Sequence, residues 1–314
     1  MDEINEKLKN DPAAYNLYLG LKDQLDKLRR HARQGSYKTR ERYYMAMLVF
    51  CRFLAVVYRM EKLANISGKH LASYVEYRQD LGLVPATVLS DLCAIRYWHD
   101  QIPSARYRLP DNDALAVDLE KRRFGGVDRT WSEKEYSAFV ELAKAEKRPD
   151  YAAALILAHE LGLRIHETYR IDTAIARAAL AADKLTIKGK GGKIRQVPLT
   201  REAREALEER LAAAKPGEKL FVPAEQPSHL AVLGLQKFIW DHRNEIRDPA
   251  NPVALTYHGL RHTYAANTYR RMRAQGRTEF ETHIGVSRLL GHERADVTDI
   301  YIVGCKEGYD NDYY

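Results

Sequence analysis

Two arginines in the second half of the chain lie in sequence contexts that suit the binding of an anion by a guanidinium group. Arg164 follows the helix-breaking residue Gly162 in the stretch GLRIHE, and Arg261 lies three residues beyond His258 in the stretch HGLRH. Residues three apart share one face of a helix, so His258 and Arg261 can place a proton donor beside a two-pronged cation. That combination suits a phosphate group.

A basic turn rich in glycine is the second feature. Lys188, Lys190 and Lys193 lie within the sequence KGKGGK, between two short β-prone runs. A lysine at the tip of such a hairpin can reach into a groove while the backbone stays clear of it. A solvated basic turn explains the same residues. A phosphate-binding P-loop does not, because no Ser or Thr follows the lysine and no helix begins there.

A histidine and a tyrosine complete the set. His292 ends the stretch LLGH, and Tyr301 follows nine residues later. Most of the 20 tyrosines are expected to be packing residues, but Tyr301 comes after two arginines and two histidines that suit a phosphodiester. His258 and His262 have the spacing of a helical zinc pair. The glutamate of HExxH and a third ligand are lacking, so no metal site is expected.

The composition is typical of a globular protein with an anionic partner. Of 314 residues, 45% are hydrophobic and 30% are charged, and 50 Lys and Arg against 43 Asp and Glu leave a net charge of +7. Nucleic acid is the commonest partner of such a basic protein. The N-terminus has no signal-peptide pattern, and the apolar runs fall far short of the ~20 residues of a membrane span. We therefore expect a cytoplasmic protein without membrane contact.

The cysteines argue against an oxidised or metal-bound framework. Cys51, Cys93 and Cys305 are odd in number, widely separated and form no CxxC pair. We expect reduced thiols, two of them buried.

The elements that must position these residues fall into two groups. Residues 1–124 show only helical periodicity and end in a short predicted helix over Asn112–Arg122. An aperiodic basic stretch indicates a linker over 125–130, and a capping box at Ser132–Glu135 begins the second group, 131–314. That group contains the only β signal, a hairpin of Lys184–Ile187 and Arg195–Leu199. The other predicted helices are Ala13–Arg33, Thr39–Met60, Lys69–Leu81, Ala86–Asp100, Tyr151–Leu161, Thr200–Ala214, Leu230–Arg247, Tyr257–Arg273 and Glu279–Leu290.

In their order and spacing, these motifs resemble those of the tyrosine recombinases, also called the lambda-type or phage integrases. The resemblance rests on GLRxxE, GKGxK, HxLRH, LGH and a tyrosine nine residues later, and spans most of residues 130–301. It implies a mainly α fold with one small hairpin (α+β), in which a helical core-binding domain and a catalytic domain close around DNA as a clamp. The implied catalytic set is Tyr301, Arg164, Lys190, His258, Arg261 and His292, supported by Glu167.

The resemblance also implies the chemistry. Tyr301 would attack phosphorus, giving a 3′-phosphotyrosyl intermediate without metal, ATP or another cofactor. Arg164 and Arg261 would stabilise the charge of the transition state, and His258 would take the proton of the tyrosine. The resemblance assigns protonation of the leaving 5′-oxygen to Lys190, with Lys188 and Lys193 as neighbouring candidates. His292 would hydrogen-bond the phosphoryl oxygens.

The implied partners are a double-stranded DNA recombination site, a homotetramer on synapsed DNA, and accessory DNA-bending or directionality proteins, in a bacterial, phage or plasmid setting. Two other functions remain open: a type IB-like topoisomerase, which shares the chemistry, and a catalytically silent DNA-binding accessory protein. Solvated surface side chains are the alternative for each of the candidate DNA contacts. These are Lys38, Arg40, Arg42, Arg96, Tyr97, Lys188 and Lys193.

Two departures from the family pattern accompany the resemblance. Arg261 and His292 are 31 residues apart, longer than is usual, and the polar stretch Arg273–Thr282 is interpreted as an inserted loop. Only 13 residues follow Tyr301, so a docking helix at the C-terminus is not expected to have its usual form.

Overall fold

The protein divides into two compact units, Met1–Arg123 and Phe124–Tyr314. A computed structural model describes residues 3–121, 127–189, 192–291 and 298–305. The predicted fold class, mainly α with one small hairpin, is confirmed. Among the described residues, no helix is both long enough and apolar enough to cross a bilayer.

The first unit is a bundle of helices around α3. Its core contains large side chains that are fully enclosed, including Phe50, Tyr74 and Trp98. Phe50 lies edge-on to Tyr74, with ring centroids 4.9 Å apart. The helices of this unit are α1 (Glu3–Asn10), α2 (Pro12–His31), α3 (Tyr37–Val57), α4 (Gly68–Asp80) and α5 (Pro85–His99).

One predicted helix of this unit is wrong. Of the range Asn112–Arg122, residues 112–121 are described; they contain a single 3-10 turn, Asn112–Ala114, and residues 115–121 have no helix. The Asn112 side chain accepts a hydrogen bond from Arg96, 2.8 Å away, and the Pro110 carbonyl accepts another at 2.9 Å. These contacts hold the start of the segment against α5, and local periodicity does not reveal them.

The second unit is built around α7, which is apolar on all sides and contacts α6, α10 and α12. A helix that is hydrophobic all round belongs inside a domain, and most of α7 is buried. The helices of this unit are α6 (Glu133–Ala145), α7 (Pro149–Leu161), α8 (Ile165–Thr168), α9 (Thr173–Ala182), α10 (Arg201–Ala212), α11 (Ser228–Ile246), α12 (Tyr257–Ala274) and α13 (Glu279–Leu290). Helices α8 and α9 were not predicted.

The hairpin pairs β1 (Lys184–Lys188) with β2 (Ile194–Pro198) in antiparallel register. Side chains alternate between buried and exposed along both strands, as the period of a strand requires. The inward positions of β2 carry Val197 and, unexpectedly, Arg195. The charged side chain therefore lies on the face of the hairpin that packs against the rest of the unit.

Two further expectations are corrected by the structure. Arg273–Thr282 is not an inserted loop: α12 continues to Ala274 and α13 begins at Glu279, so a short turn joins two helices. Of the three cysteines, only Cys51 is buried, whereas Cys93 is exposed and Cys305 is half-buried. All three are free thiols.

Candidate active site

Arg164 is positioned by the abrupt junction between α7 and α8. Gly162 ends α7 in the left-handed conformation, with φ of 61°, and Arg164 caps the N-terminus of α8. The Glu167 carboxylate accepts a hydrogen bond from the Arg164 backbone N–H at 2.8 Å and from its Nη1 at 3.1 Å. The turn thus orients Arg164 while 26% of its side chain stays exposed.

Glu167 is held from the other side by Arg195. The Nη1 and Nη2 atoms of Arg195 donate to the two carboxylate oxygens at 2.9 and 2.7 Å. Burial by itself would raise the pKa of Glu167, but the hydrogen bonds and charge of Arg195, together with Arg164, lower it to about 2. Glu167 is therefore an anion between two cations at neutral pH.

Arg261 lies near this pair and is fully enclosed. Its Nη1 donates to the Gly162 carbonyl at 2.5 Å and its Nη2 to the Leu290 carbonyl at 2.6 Å. Burial and the nearby charge of Arg164 lower the pKa of Arg261 to about 10, so it remains a cation at neutral pH. Arg261 joins the end of α7 to the end of α13 and brings a positive charge into the interior.

The Tyr301 hydroxyl lies 3.2 Å from Nε2 of His258. The Tyr301 ring stacks on His262 at 4.3 Å between centroids, and the Arg261 guanidinium lies 5.6 Å from its centre. Removal from water, with the charge of Arg261 next, lowers the pKa of His258 to about 4. Burial also lowers the pKa of His262 to about 3. At neutral pH, His258 is thus an uncharged imidazole within reach of the tyrosine proton.

The segment that carries Tyr301 is anchored on both sides. Thr298 and Ile302 are fully buried, and the Thr298 carbonyl accepts a hydrogen bond from the Tyr301 N–H at 2.9 Å. His283 of α13 pairs with Asp299 at 3.1 Å. The tyrosine is therefore presented by a packed segment, and only 8% of it is exposed.

A cavity of about 410 Å³ opens beside Arg164. Its described lining contains four cationic residues and no carboxylate. Those cations are Arg164, Lys193, Arg195 and Arg288. An anionic group in this cavity would meet positive charge on several sides, which is the electrostatic arrangement that phosphoryl transfer requires.

The structure brings five of the predicted catalytic and supporting residues together, and two others lie outside the residues that it describes. Arg164, Glu167, His258, Arg261 and Tyr301 converge, although they come from three segments of the chain. Lys190 and His292 lie outside the described residues. The flanking residues Gly189 and Gly291 both line the cationic cavity. Lys188 and Lys193 are exposed at the ends of the two strands.

The candidate DNA contacts of the first unit differ in accessibility. Lys38 and Arg42 are exposed on α3. Arg40 donates to the Ala32 carbonyl at 3.1 Å, and Arg96 to the 110–112 segment. Tyr97 packs edge-on against Tyr43 at 5.3 Å. Lys38 and Arg42 are thus the most available for an external anion.

Arg195 and the stacking role of His262 were missed by sequence reasoning. The signal for Arg195 was its place at an inward position of β2, where an arginine needs a buried acidic partner. His262 was considered only together with His258, as a metal pair or a structural pair. No cluster of three or more metal-binding side chains occurs within 3–121, 127–189, 192–291 and 298–305.

Comparison with protein-family models identifies both halves of the chain. Residues 129–304 match the phage integrase family, and residues 24–102 match the phage integrase N-terminal SAM-like domain. A tyrosine recombinase XerD from Brucella suis biovar 1 is 31% identical over 257 residues, covering 76% of this chain and 78% of the relative. A tyrosine recombinase XerC from Erythrobacter litoralis is 27% identical over 223 residues, covering 70% and 69%.

Solved structures share the fold. A lambda integrase tetramer bound to a Holliday junction matches with a TM-score of 0.63 and 16% identity, covering 91% of this chain and 78% of that one. The XerH site-specific recombinase bound to its difH substrate, in a pre-cleavage complex, matches with a TM-score of 0.59 and 20% identity, covering 89% and 80%.

Proposed function

Because this chain belongs to the phage integrase family and is a DNA strand-exchange enzyme of the tyrosine recombinase type, we propose that it cuts and rejoins DNA through a covalent bond to Tyr301. The observation that carries the proposal is the 3.2 Å contact between the Tyr301 hydroxyl and His258 Nε2, beside the buried charge of Arg261. A phenol needs a base and a positive field to act as a nucleophile at neutral pH, and both are present.

The first half of the reaction is a displacement at phosphorus. The Tyr301 oxygen bonds to phosphorus while its proton passes to His258 Nε2. The bond from phosphorus to the 5′-oxygen breaks, and that oxygen takes a proton from Lys190. The products are a 3′-phosphotyrosine and a free 5′-hydroxyl. Since one phosphodiester replaces another, no ATP is consumed.

The two arginines play different parts in this proposal. Arg164 is partly exposed at the cationic cavity and binds a nonbridging phosphoryl oxygen directly. Arg261 is enclosed and lies close to Tyr301, so it contributes its positive charge. His292 hydrogen-bonds the phosphoryl oxygens. Together these groups would stabilise the charge that develops in the transition state.

Strand exchange completes the reaction. The 5′-hydroxyl of a second duplex attacks the phosphotyrosine, which reverses the first step and joins a new pair of strands. The fold match to lambda integrase, solved as a tetramer on a Holliday junction, supports four protomers acting on two duplexes. The net charge of +7 and the exposed Lys38 and Arg42 support DNA binding by both units, and accessory DNA-bending or directionality proteins complete the assembly.

Covalent capture tests the proposal. The substrate is a duplex carrying a recombination site from the DNA that flanks the coding sequence, nicked so that the cut fragment diffuses away. Wild-type protein should form a covalent band on a denaturing gel in the presence of EDTA, and Tyr301→Phe should form none. Tyr169→Phe is the matched control, because the buried Tyr169 hydroxyl has no hydrogen-bond partner among the described residues. DNA binding without any covalent band would overturn the proposal in favour of an accessory DNA-binding protein.

A further inference from the structure

Arg195 and Glu167 form an almost fully enclosed ion pair, with side chains only 7% and 1% exposed. Arg195 donates to both carboxylate oxygens of Glu167, whereas the Arg164 side chain donates to Oε1 at 3.1 Å. Among the two guanidinium groups, that of Arg195 therefore makes the more extensive contact with the carboxylate, and that of Arg164 the lesser one. This division matters because both arginines compete for one buried negative charge.

We propose that Arg195 is a positioning residue, which keeps Arg164 available for the phosphodiester by occupying both oxygens of Glu167. The inference rests on the proposed function, which assigns Arg164 to a phosphoryl oxygen. Without Arg195, the buried carboxylate would turn to Arg164, and a bidentate arginine–carboxylate pair is the strongest arrangement open to it. Arg164 would then be drawn inward and its charge neutralised.

The charges of the cluster support this role. Arg164, Arg195 and Arg261 carry three positive charges against the single negative charge of Glu167, which leaves a net charge of +2. Two of these arginines, Arg164 and Arg195, line the cavity. Loss of Arg195 would halve the net charge of the cluster. It would also draw the exposed guanidinium group of Arg164 away from the cavity. An anionic transition state is sensitive to both changes.

Two glycines show that the ion pair also supports the neighbouring segments. A Cβ atom at Gly291 would lie 3.0 Å from Cδ of Arg195, and one at Gly189 would lie 3.7 Å from both Arg195 Nη1 and Glu167 Oε1. The Arg195 side chain therefore packs against the backbone that leads directly into His292 and Lys190. A single buried arginine thus bears on three of the segments that carry proposed catalytic residues.

The test compares Arg195→Met, Arg195→Lys, Glu167→Gln and the double variant Arg195→Met with Glu167→Gln. The readouts are DNA affinity and the rate of covalent complex formation on the nicked substrate with saturating protein. Arg195→Met should cut that rate about 10²-fold with little change in DNA affinity, as for loss of a preorganised charge. The double variant should react about tenfold faster than Arg195→Met, because a neutral amide no longer captures Arg164. Arg195→Lys should retain intermediate activity.

Arg148→Met is the matched control, since Arg148 also makes a two-bond contact to a carboxylate, that of Asp150, but at the opposite end of α7. The Arg148→Met variant should form the covalent complex at the wild-type rate. Circular dichroism verifies folding, and the double variant, in which neither residue 195 nor residue 167 carries a charge, serves if Arg195→Met fails to fold. A double variant that is folded but as slow as Arg195→Met, or an Arg195→Met variant as fast as wild type, would overturn the proposal. Absence of a covalent band in the wild type would instead overturn the proposed function.

Discussion

At the scale of the residue, the chemistry that we propose for Tyr301 depends on which neighbours are charged. Burial lowers the pKa of His262 to about 3, and removal from water lowers that of His258 to about 4, so both imidazoles are neutral at physiological pH. Arg261 keeps its charge at the same pH. The tyrosine therefore has a neutral proton acceptor at 3.2 Å and a fixed cation nearby. A protonated His258 would supply charge but could not accept the proton.

The depressed pKa of His262 predicts a pH dependence of stability. Between about pH 6.5 and 3, the unfolded chain takes up a proton on this histidine and the folded chain does not, so stability falls as the pH falls. His262→Phe keeps a ring against Tyr301 and removes this proton. Between pH 6 and 4, the free energy of unfolding of His262→Phe should fall less steeply with falling pH than that of the wild type. The two slopes should differ by about 1.4 kcal/mol per pH unit.

Urea denaturation at a series of pH values measures this slope. The internal control is the range from pH 7.5 to 8.5, where the imidazole is neutral in both states and the two proteins should have equal slopes. Parallel curves for the wild type and His262→Phe between pH 6 and 4 would show that the buried histidine is protonated in the folded protein.

At the scale of the element, the site depends on how helices end. Gly162 ends α7 with φ of 61°, and a side chain there would overlap the Tyr264 ring of α12. Its carbonyl also accepts the hydrogen bond from Arg261. One glycine thus allows the chain to turn, lets α12 approach α7 and holds an arginine. Gly291 performs the same left-handed termination for α13, against Arg195.

Gly162→Ala should therefore lower both stability and activity. The left-handed conformation costs an alanine about 1–2 kcal/mol, and the displaced Tyr264 ring adds to this. Gly217→Ala is the matched control, because Gly217 has φ of 84° and nothing within 4 Å of the added carbon. Chemical denaturation should show a larger loss for Gly162→Ala, and only this variant should slow covalent complex formation. Equal effects of the two substitutions would contradict the role of the overlap.

At the scale of the whole molecule, each unit has a hydrophobic core of its own. Phe50 belongs to the core of the first unit and Phe139 to that of the second, and both are fully buried. The proposed catalytic residues that the structure describes all lie in the second unit, whereas Lys38 and Arg42 lie in the first. Bond cleavage should therefore depend on the second unit, whereas DNA affinity should depend on both.

Two matched core substitutions test whether the units unfold separately. Phe50→Ala and Phe139→Ala each remove an enclosed ring, at a cost of about 3–5 kcal/mol. Differential scanning calorimetry should show two transitions, with a different one lowered by each substitution. A single transition that both substitutions shift equally would show that the two units unfold together.

Much of the fold could be predicted because its signals are local. Pro85 at the first position of α5, the Ser132–Glu135 capping box and the glycines of the hairpin each act within a few residues of the chain. The helix expected at Asn112–Arg122 is wrong, and the start of that segment is instead held by hydrogen bonds from Arg96 to Pro110 and Asn112. Local periodicity carries no information about a partner on a different helix.

The candidate site, like the fold, has features that the sequence predicts and others that only the folded protein shows. By itself, the sequence determined the residue types and their order, from Arg164 through Arg261 to Tyr301, because each motif is a short pattern of chemically suitable side chains. Only the tertiary structure decided that Arg195 holds Glu167, that His262 stacks on Tyr301, and that Arg261 is buried while Arg164 reaches the cavity. The physical reason is that the charge state and accessibility of a side chain depend on which groups surround it and shield it from water. Those groups come from distant parts of the chain, so only the folded protein brings them together.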